Sequence, residues 1–241
     1  MENLPGWSRS DPKESTSSAG VGEGRAADEG QGGGYQGDEK LFERHGVRTR
    51  LGPKGLQLPA PRWPAAGTPA DGTMPAMNPV TFSTLAAFPA ALEAHYAAFP
   101  APFVNWAPAS WDGVPSEPFT AIEQICHVRD IEIEGYHQRF RRTLEEETPL
   151  LPFIDSEAIT RERDYASADP AQVFAAFRVA RASTLTLLRS LTEPQLARPA
   201  EFEHYGPVTL RGLIHYLCSH DQQHLAGLQW LLGKIDAAGR R

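Results

Sequence analysis

The sequence predicts an all-α fold, a four-helix bundle of the up-down type with long loops between its helices. Four segments of about 18–28 residues have helical patterns, and in three of them the apolar side chains recur at steps of three and four, the spacing of one buried helical face. Three of these segments begin with capping signals. No segment shows the alternation of a β-strand, and two long connections separate the helices, as a bundle allows.

Residues 1–77 are predicted to be a disordered or non-native N-terminal extension. They hold 14 of the 21 glycines and eight of the 21 prolines, with few large apolar residues. Such a composition cannot bury enough apolar surface to offset the entropy lost on ordering. Met77 opens a plausible protein start, and Met74 is a second candidate. We therefore expect the folded domain to span residues 78–241.

The first two helices are predicted from an apolar stripe and a capping box. The first covers residues 81–99, and Pro89 either kinks or restarts it. A loop over residues 100–118 follows, and its two tryptophans are expected to be packed against the protein. They could wall a substrate cavity, although an aromatic residue in a bundle is more often part of the core. The sequence TAIE then opens the second helix, which covers residues 120–146. Its apolar residues spread around the circumference, so periodicity leaves its buried face ambiguous.

The last two helices have clear start signals. After a second long loop with a possible short helical turn, an Asp-Pro pair opens the third helix, which covers residues 169–192. The connection 192–208 leads to the fourth helix, 209–236, for which Thr209 is a suitable N-cap. Leucines and one isoleucine form the apolar stripe of this helix.

His220 and His224 lie on the stripe of the fourth helix. Residues four apart on a helix are neighbours, so both imidazoles could bind one metal ion. The alternative is a pair of core histidines that hydrogen bond to neighbouring helices. Adjacent buried imidazoles with no carboxylate on their stripe are hard to satisfy in that way, which favours a metal. A zincin site is not indicated, because Asp221 stands where the motif requires glutamate.

Composition and charge narrow the classes of function. The formal net charge of −7 argues against nucleic-acid binding. No stretch reaches the roughly 18 apolar residues of a membrane span, and the first residues lack the features of a signal peptide. Cys126 and Cys218 are far apart and are interpreted as reduced, structural thiols. We therefore expect a cytoplasmic protein without a nucleic-acid or membrane partner.

Three motifs in the folded part resemble those of the DinB superfamily of metalloenzymes. They are ICHVRDIE at 125–132, GPVTLRGLIHY at 206–216 and HDQQHL at 220–225. Their order is also similar: a histidine early in the second helix, a long loop, a third helix, and then the other two motifs. The resemblance covers about residues 80–236, which is essentially the whole folded part.

This resemblance implies a divalent metal held by His127, His220 and His224, with open positions for water or substrate. Three neutral imidazoles suit Zn, Ni, Fe or Mn, and availability decides among them more than intrinsic affinity. Members of known activity imply a metal-dependent S-transferase that acts on a small molecule with a low-molecular-weight thiol. A metal-dependent hydrolase would use the same open site. The alternative of a different class is a metal-free helical module for binding or interaction.

Three carboxylates could assist such a site. Asp130 and Glu134 follow His127 by three and seven residues, so either could orient an imidazole or transfer a proton. Asp221 could hold a ligand on a neighbouring helix. Each of the three could instead be a plain polar or solvated group. The remaining histidines, including His137, His204 and His215, are interpreted as structural or surface groups.

The apolar residues of the first and third helices exceed a single narrow stripe. On the first helix they are Phe82, Leu85, Phe88, Leu92 and Phe99. A bundle of about 160 residues has one interior in which to bury them, so we expect an exposed patch that a second copy covers. The sequence therefore predicts a homodimer, unless loop 100–118 covers the same surface.

Overall fold

The fold is taken from a computed structural model, which describes Trp63 and residues 77–239. These residues belong to one compact unit, Leu51–Arg241. Except for Trp63 and Met77, the predicted extension lies outside the described residues, so its disorder and the native start remain predictions. In chain order the helices are α1 (Pro79–Ala97), α2 (Ala121–Asp130), α3 (His137–Glu145), α4 (Ser156–Arg163), α5 (Pro170–Ser190), α6 (Glu193–Leu196) and α7 (Leu210–Ala237).

Four long helical units form the bundle, which confirms the predicted fold class. They are α1, α2 with α3, α5 and α7. Both α1 and the α2–α3 unit pack against all three of the other units. The short helices α4 and α6 lie in the connections, together with two 3-10 turns. Pro89 lies inside one continuous helix, so the prediction that it restarts the helix is wrong. Among the described residues, no helix is both long and apolar enough to cross a membrane.

The capping signals read from the sequence are present at all three predicted starts. The backbone N–H of Thr120 donates to the Glu123 carboxylate at 2.8 Å, which completes the capping box of α2. Asp169 accepts a bond from the backbone of the first turn of α5. Thr209 accepts one from Gly212 at the start of α7. Each bond satisfies an N–H that the helix itself leaves unpaired.

A π-helical turn, Ile131–Tyr136, joins α2 to α3 without a break. A π turn holds more residues than an α turn, so the apolar positions before and after it are out of register. This is why the periodicity of the segment did not define one buried face. The turn also places Glu132 in the bundle interior, where it is 1% exposed.

A small three-stranded sheet lies in the connections between the helices, so the prediction of no strand is wrong. It consists of β1 (Leu150–Leu151), β2 (Pro199–Phe202) and β3 (Gly206–Thr209), in that order. β1 pairs with β2 in parallel and β2 with β3 antiparallel. Strands of two to four residues are too short for alternation to stand out from a loop. His204 (φ 67°) and Gly206 (φ 80°) turn the chain between β2 and β3.

The core consists of two apolar clusters with a polar layer between them. On α7 the first cluster ends at Leu217 and the second begins at Leu228. On α5 the order is reversed: the second cluster extends to Phe177, and the first cluster begins at Leu187. The layer between contains seven of the buried polar side chains of the bundle. They are Gln124, His127, Glu132, Arg181, Thr184, Asp221 and His224.

The apolar excess on α1 is buried within the single chain. Leu85, Phe88, Leu92 and Phe99 are all buried. Phe82 packs against the first cluster and lies under the guanidinium of Arg189, 4.9 Å from its ring centre. These five residues therefore do not form the exposed patch on which the predicted dimer was based.

Candidate metal centre

Three imidazoles from two helices converge in the polar layer. α2 contributes His127, and α7 contributes His220 and His224 one turn apart. The Nε2 atom of His220 is 3.1 Å from Nε2 of His127 and 3.1 Å from Nε2 of His224. Metal–nitrogen bonds of about 2.1 Å place two nitrogens on one ion roughly 3–4 Å apart. The two observed separations lie in that range.

The environment keeps these imidazoles neutral at physiological pH. His224 is fully buried, His127 is 2% exposed and His220 is partly exposed. Burial lowers the pKa of His127 to about 4. Burial also lowers the pKa of His220 and His224, and each is lowered further by neighbouring imidazoles. A neutral imidazole has a free lone pair, which is the form that binds a metal.

Gln124 fixes the tautomer of His224. The amide nitrogen of Gln124 donates to Ser116 Oγ at 2.8 Å and lies 3.3 Å from the carbonyls of Glu117 and Phe119. These acceptors orient the amide so that its oxygen faces Nδ1 of His224, which must donate the proton. The lone pair of His224 is therefore on Nε2, toward the other two imidazoles.

Glu117 adds a carboxylate that the sequence analysis missed. Its oxygens lie 3.8 Å from Nε2 of His127 and 3.4 Å from Nε2 of His224, and its side chain is 39% exposed. Burial raises the pKa of Glu117. The residue lies in the loop before α2, where no periodicity marks it. Gln124 was also missed, although it precedes His127 by three residues on the same helix and so shares its face.

A close packing contact holds the Glu117 loop against α7. A Cβ atom at Gly227 would lie 2.3 Å from Oγ of Ser116 and 2.9 Å from Nε2 of Gln124. The loop can approach the helix this closely because residue 227 has no side chain. Gly227 thus lets residues 116–117 pack one turn beyond His224.

The four candidate ligand groups fit a divalent cation. Nε2 of His224 is an acceptor, and it faces the acceptor-only oxygens of Glu117. His220 can donate a single Nε2 proton, yet its Nε2 contacts two imidazole nitrogens. The protons of neutral side chains therefore cannot satisfy all these contacts. One cation among the four groups, whose candidate ligand atoms lie within 4.8 Å of one another, would satisfy them.

Asp130 and Glu134 lie in a separate ionic cluster. Arg163 of α4 donates to Asp130 at 2.7 Å and to both oxygens of Glu134 at 2.7 and 2.8 Å. Asp130 also accepts bonds from Arg129 and from the hydroxyl of Tyr165, both at 2.6 Å. These two carboxylates therefore attach the second long loop to α2 and to the π turn. Neither has a hydrogen bond to an imidazole among the described residues.

Asp221 faces away from the imidazoles and into a buried network around Arg181. The guanidinium donates two bonds to Asp221, at 2.8 and 3.0 Å, and two to Glu132, at 2.9 and 3.0 Å. Burial raises the pKa of Asp221 to about 7 despite the charge of Arg181. Burial alone would also raise the pKa of Glu132. The charge of Arg181 and its bonds to Glu132 outweigh burial, however, and the pKa of Glu132 is lowered. The network joins α5, α7 and the π turn beside His220.

Aromatic and sulfur groups around the site have packing roles. The ring of Phe119 lies 5.2 Å from that of His127, and the ring of Tyr136 lies 6.1 Å from that of His220. Trp111 stacks on Trp230 of α7 within the second apolar cluster. Cys126 is buried, and burial raises the pKa of its thiol to about 12, which agrees with a structural role.

Comparison with known proteins identifies the family. A structure of YfiT from Bacillus subtilis matches with a TM-score of 0.59 and 22% identity, over 73% of this chain and 95% of that one. It is described as a probable metal-dependent hydrolase with an unusual four-helix bundle topology. Curated protein sequences include no match. The sequence profile of the DinB superfamily matches residues 84–228, and the chain therefore belongs to that superfamily.

Proposed function

We propose that this chain is a metal-dependent enzyme that activates a small nucleophile. His127, His220 and His224 would hold one divalent ion, with Glu117 beside it. The observation behind this proposal is the convergence of acceptor atoms that side-chain protons cannot satisfy. A bound divalent ion acts as a Lewis acid and lowers the pKa of a water or thiol, so that a nucleophile forms near neutral pH.

The residues around the imidazoles have distinct roles in this proposal. Gln124 keeps His224 in the tautomer whose Nε2 lone pair faces the site. Glu117 lies at the exposed edge and is positioned to accept the proton of the incoming nucleophile. Burial raises its pKa, which makes it a stronger base than an exposed carboxylate. Phe119 packs beside His127 and excludes water from that side.

Hydrolysis of a small molecule is the reaction we favour, with a cytoplasmic location. YfiT, which shares the bundle, is described as a probable metal-dependent hydrolase. The second candidate is the thiol S-transferase, which is favoured by the resemblance of the motifs around His127, His220 and His224 to those of thiol-using members. Both reactions need the same neutral imidazoles and the same proton acceptor, and they differ in whether water or thiol attacks.

A substrate screen tests the reaction and separates the two candidates. Protein loaded with Zn, Ni, Fe or Mn is incubated with ester, amide and alkyl-halide electrophiles, with and without a glutathione-like thiol. Turnover without thiol is the expected result, and it should be lost in Glu117→Gln. Turnover that requires thiol would overturn the hydrolase proposal and support the transferase. Absence of turnover in both arms would contradict both and leave the metal-free binding module.

Assembly as a homodimer remains a prediction that light scattering tests. The described surface does expose large apolar side chains, including Val80 on α1 and Val179 on α5. A monomeric mass at micromolar concentration would reject the dimer.

A further inference from the structure

Arg139 of α3 is a buried cation outside the candidate metal centre. It is 6% exposed, and its Nε–H has no hydrogen-bond partner among the described residues. Its Nη2 donates a long bond, 3.4 Å, to the carbonyl of Pro152. None of the ion pairs within the described residues includes Arg139, whereas the other deeply buried arginine, Arg181, is paired with two carboxylates.

Such a charge is unusual because removing an ion from water is costly, and buried charges are normally paired. Two aromatic rings compensate in part. The guanidinium carbon lies 5.2 Å from the ring centre of Tyr136 and 4.5 Å from that of Phe202. A ring face does not supply an acceptor in the guanidinium plane, so the Nε–H remains unsatisfied. Burial accordingly lowers the pKa of Arg139.

Arg139 lines a cavity of about 250 Å³ between α3 and the segment that follows β1. The other charged residues that line it are already paired. Arg142 is bonded to both oxygens of Glu146, and Glu134 is bonded to Arg163. The charge of Arg139 is therefore the one that a ligand in this cavity would have to balance.

Of the remaining lining residues, Gln138 is polar, and its side-chain oxygen accepts a bond from Arg141. The others are apolar or without a side chain. Leu151, Pro152 and Ile154 form the apolar part. A Cβ atom at Gly135 would lie 3.2 Å from Nη1 of Arg139 and 3.2 Å from Cδ1 of Ile154, so glycine leaves room for the guanidinium. An apolar patch beside one unpaired cation, with the other polar lining groups already bonded, is the arrangement that recognises a small apolar molecule with a single acid group.

We propose that this cavity binds the carboxylate of a small aliphatic acid, with Arg139 as its counter-ion. The volume is near the lower end of small-molecule pockets, about 300 Å³, which suits a short chain. One cation balances a monoanion, which favours a carboxylate over a phosphate dianion. The ring of Tyr136 contacts both the guanidinium of Arg139 and the ring of His220. Because Tyr136 connects the cavity to His220, we infer that the acid group is part of the substrate. This assignment to the substrate rests on the proposed function, whereas binding of the acid to the cavity does not.

The test is a titration of the metal-free protein, so that a failure of the metal site cannot affect its outcome. Butyrate is the probe, its neutral isostere butyramide is the matched ligand, and inorganic phosphate is the competing anion. The readout is the arginine Nε–Hε resonance of Arg139 in ¹⁵N-labelled protein. Butyrate should shift this resonance saturably, because a carboxylate bound to the guanidinium would change the electronic environment of Nε–H. Butyramide and phosphate should not.

Two variants separate recognition from packing. Arg139→Met should weaken butyrate binding at least about tenfold, as loss of a charge-assisted bond predicts. It should leave the melting temperature of the free protein unchanged or higher, because it removes an unpaired buried charge. Arg178→Met, which makes the same change of charge at an exposed ion pair, should bind butyrate normally.

Three results would overturn the proposal. They are equal shifts with butyrate and butyramide, stronger binding of phosphate than of butyrate, and unchanged butyrate binding in a folded Arg139→Met variant. If that variant fails to fold, packing is the main role of Arg139, and Arg139→Lys replaces it in the binding test. Unweakened butyrate binding by Arg139→Lys, which has no guanidinium group, would then contradict the assignment.

Discussion

The two glycines in the second half of α7 should respond in opposite directions to replacement by alanine. At Gly227 the new Cβ atom would lie 2.3 Å from Oγ of Ser116 and 2.9 Å from Nε2 of Gln124. At Gly233 it would meet nothing within 4 Å. Both residues lie inside the same helix, so the difference between the variants isolates the contact with the loop before α2.

The magnitudes follow from two effects. Alanine in a helix interior is favoured over glycine by about 1 kcal/mol, and both variants gain this amount. Overpacking of a well-filled site costs about 1–3 kcal/mol, and only Gly227→Ala bears this cost. Gly233→Ala should therefore raise the free energy of unfolding by about 1 kcal/mol. Gly227→Ala should lower it by up to about 2 kcal/mol, once its helical gain is subtracted.

Urea unfolding of both variants measures these free energies, and a chelator competition measures their metal affinity. Gly227→Ala should also weaken metal binding, because the displaced side chains include Gln124, which orients His224. Gly233→Ala should bind metal as the unchanged protein does. Equal stabilisation by the two substitutions would refute the close packing of residues 116–117 against α7, and with it the positioning of Glu117.

Three further predictions concern the polar layer and the packing of α2. Gln124→Leu should weaken metal binding about 10–100-fold in a chelator competition, whereas Gln229→Leu, which alters a bond to His95 instead, should not. Because burial raises the pKa of Asp221 to about 7, the folded protein keeps a proton there that the unfolded chain releases above about pH 4. Stability should thus fall as pH rises from about 4 to about 7, and urea unfolding of Asp221→Asn should show a smaller fall. Thiol labelling with iodoacetamide at neutral pH should modify Cys218 well before the buried Cys126, and the reverse order would contradict the packing of α2.

Local signals predicted most of the bundle. Thr120, Asp169 and Thr209 cap their helices with short-range hydrogen bonds, which a sequence contains in full. The stripe of α7 placed His220 and His224 inside, because a helical period fixes which residues share a face. Periodicity did not select His127. The π turn after α2 disturbs that pattern, and the resemblance of the motifs supplied this residue instead.

The site features that the sequence did not predict depend on contacts between residues far apart in the chain. Glu117 reaches the site because Gln124 binds its loop and Gly227 makes room for it on α7, and neither contact leaves a pattern near residue 117. Asp130 bonds to Arg163, 33 residues away, as well as to its neighbour Arg129, and Asp221 bonds to Arg181, 40 residues away. Each carboxylate was therefore assigned to the histidines near it in sequence, although it bonds elsewhere in space.

Elemental analysis tests the central claim most directly. Protein without an affinity tag is reconstituted with Zn, dialysed and analysed, together with His220→Ala and with His215→Ala as the matched control. His215 lies on the same helix and is bonded to Thr81 outside the candidate site. The unchanged protein and His215→Ala should retain about one equivalent of metal, and His220→Ala less than about a tenth. A folded, unchanged protein that retains less than about a tenth of an equivalent, or equal retention by the two variants, would contradict a metal site at His127, His220 and His224.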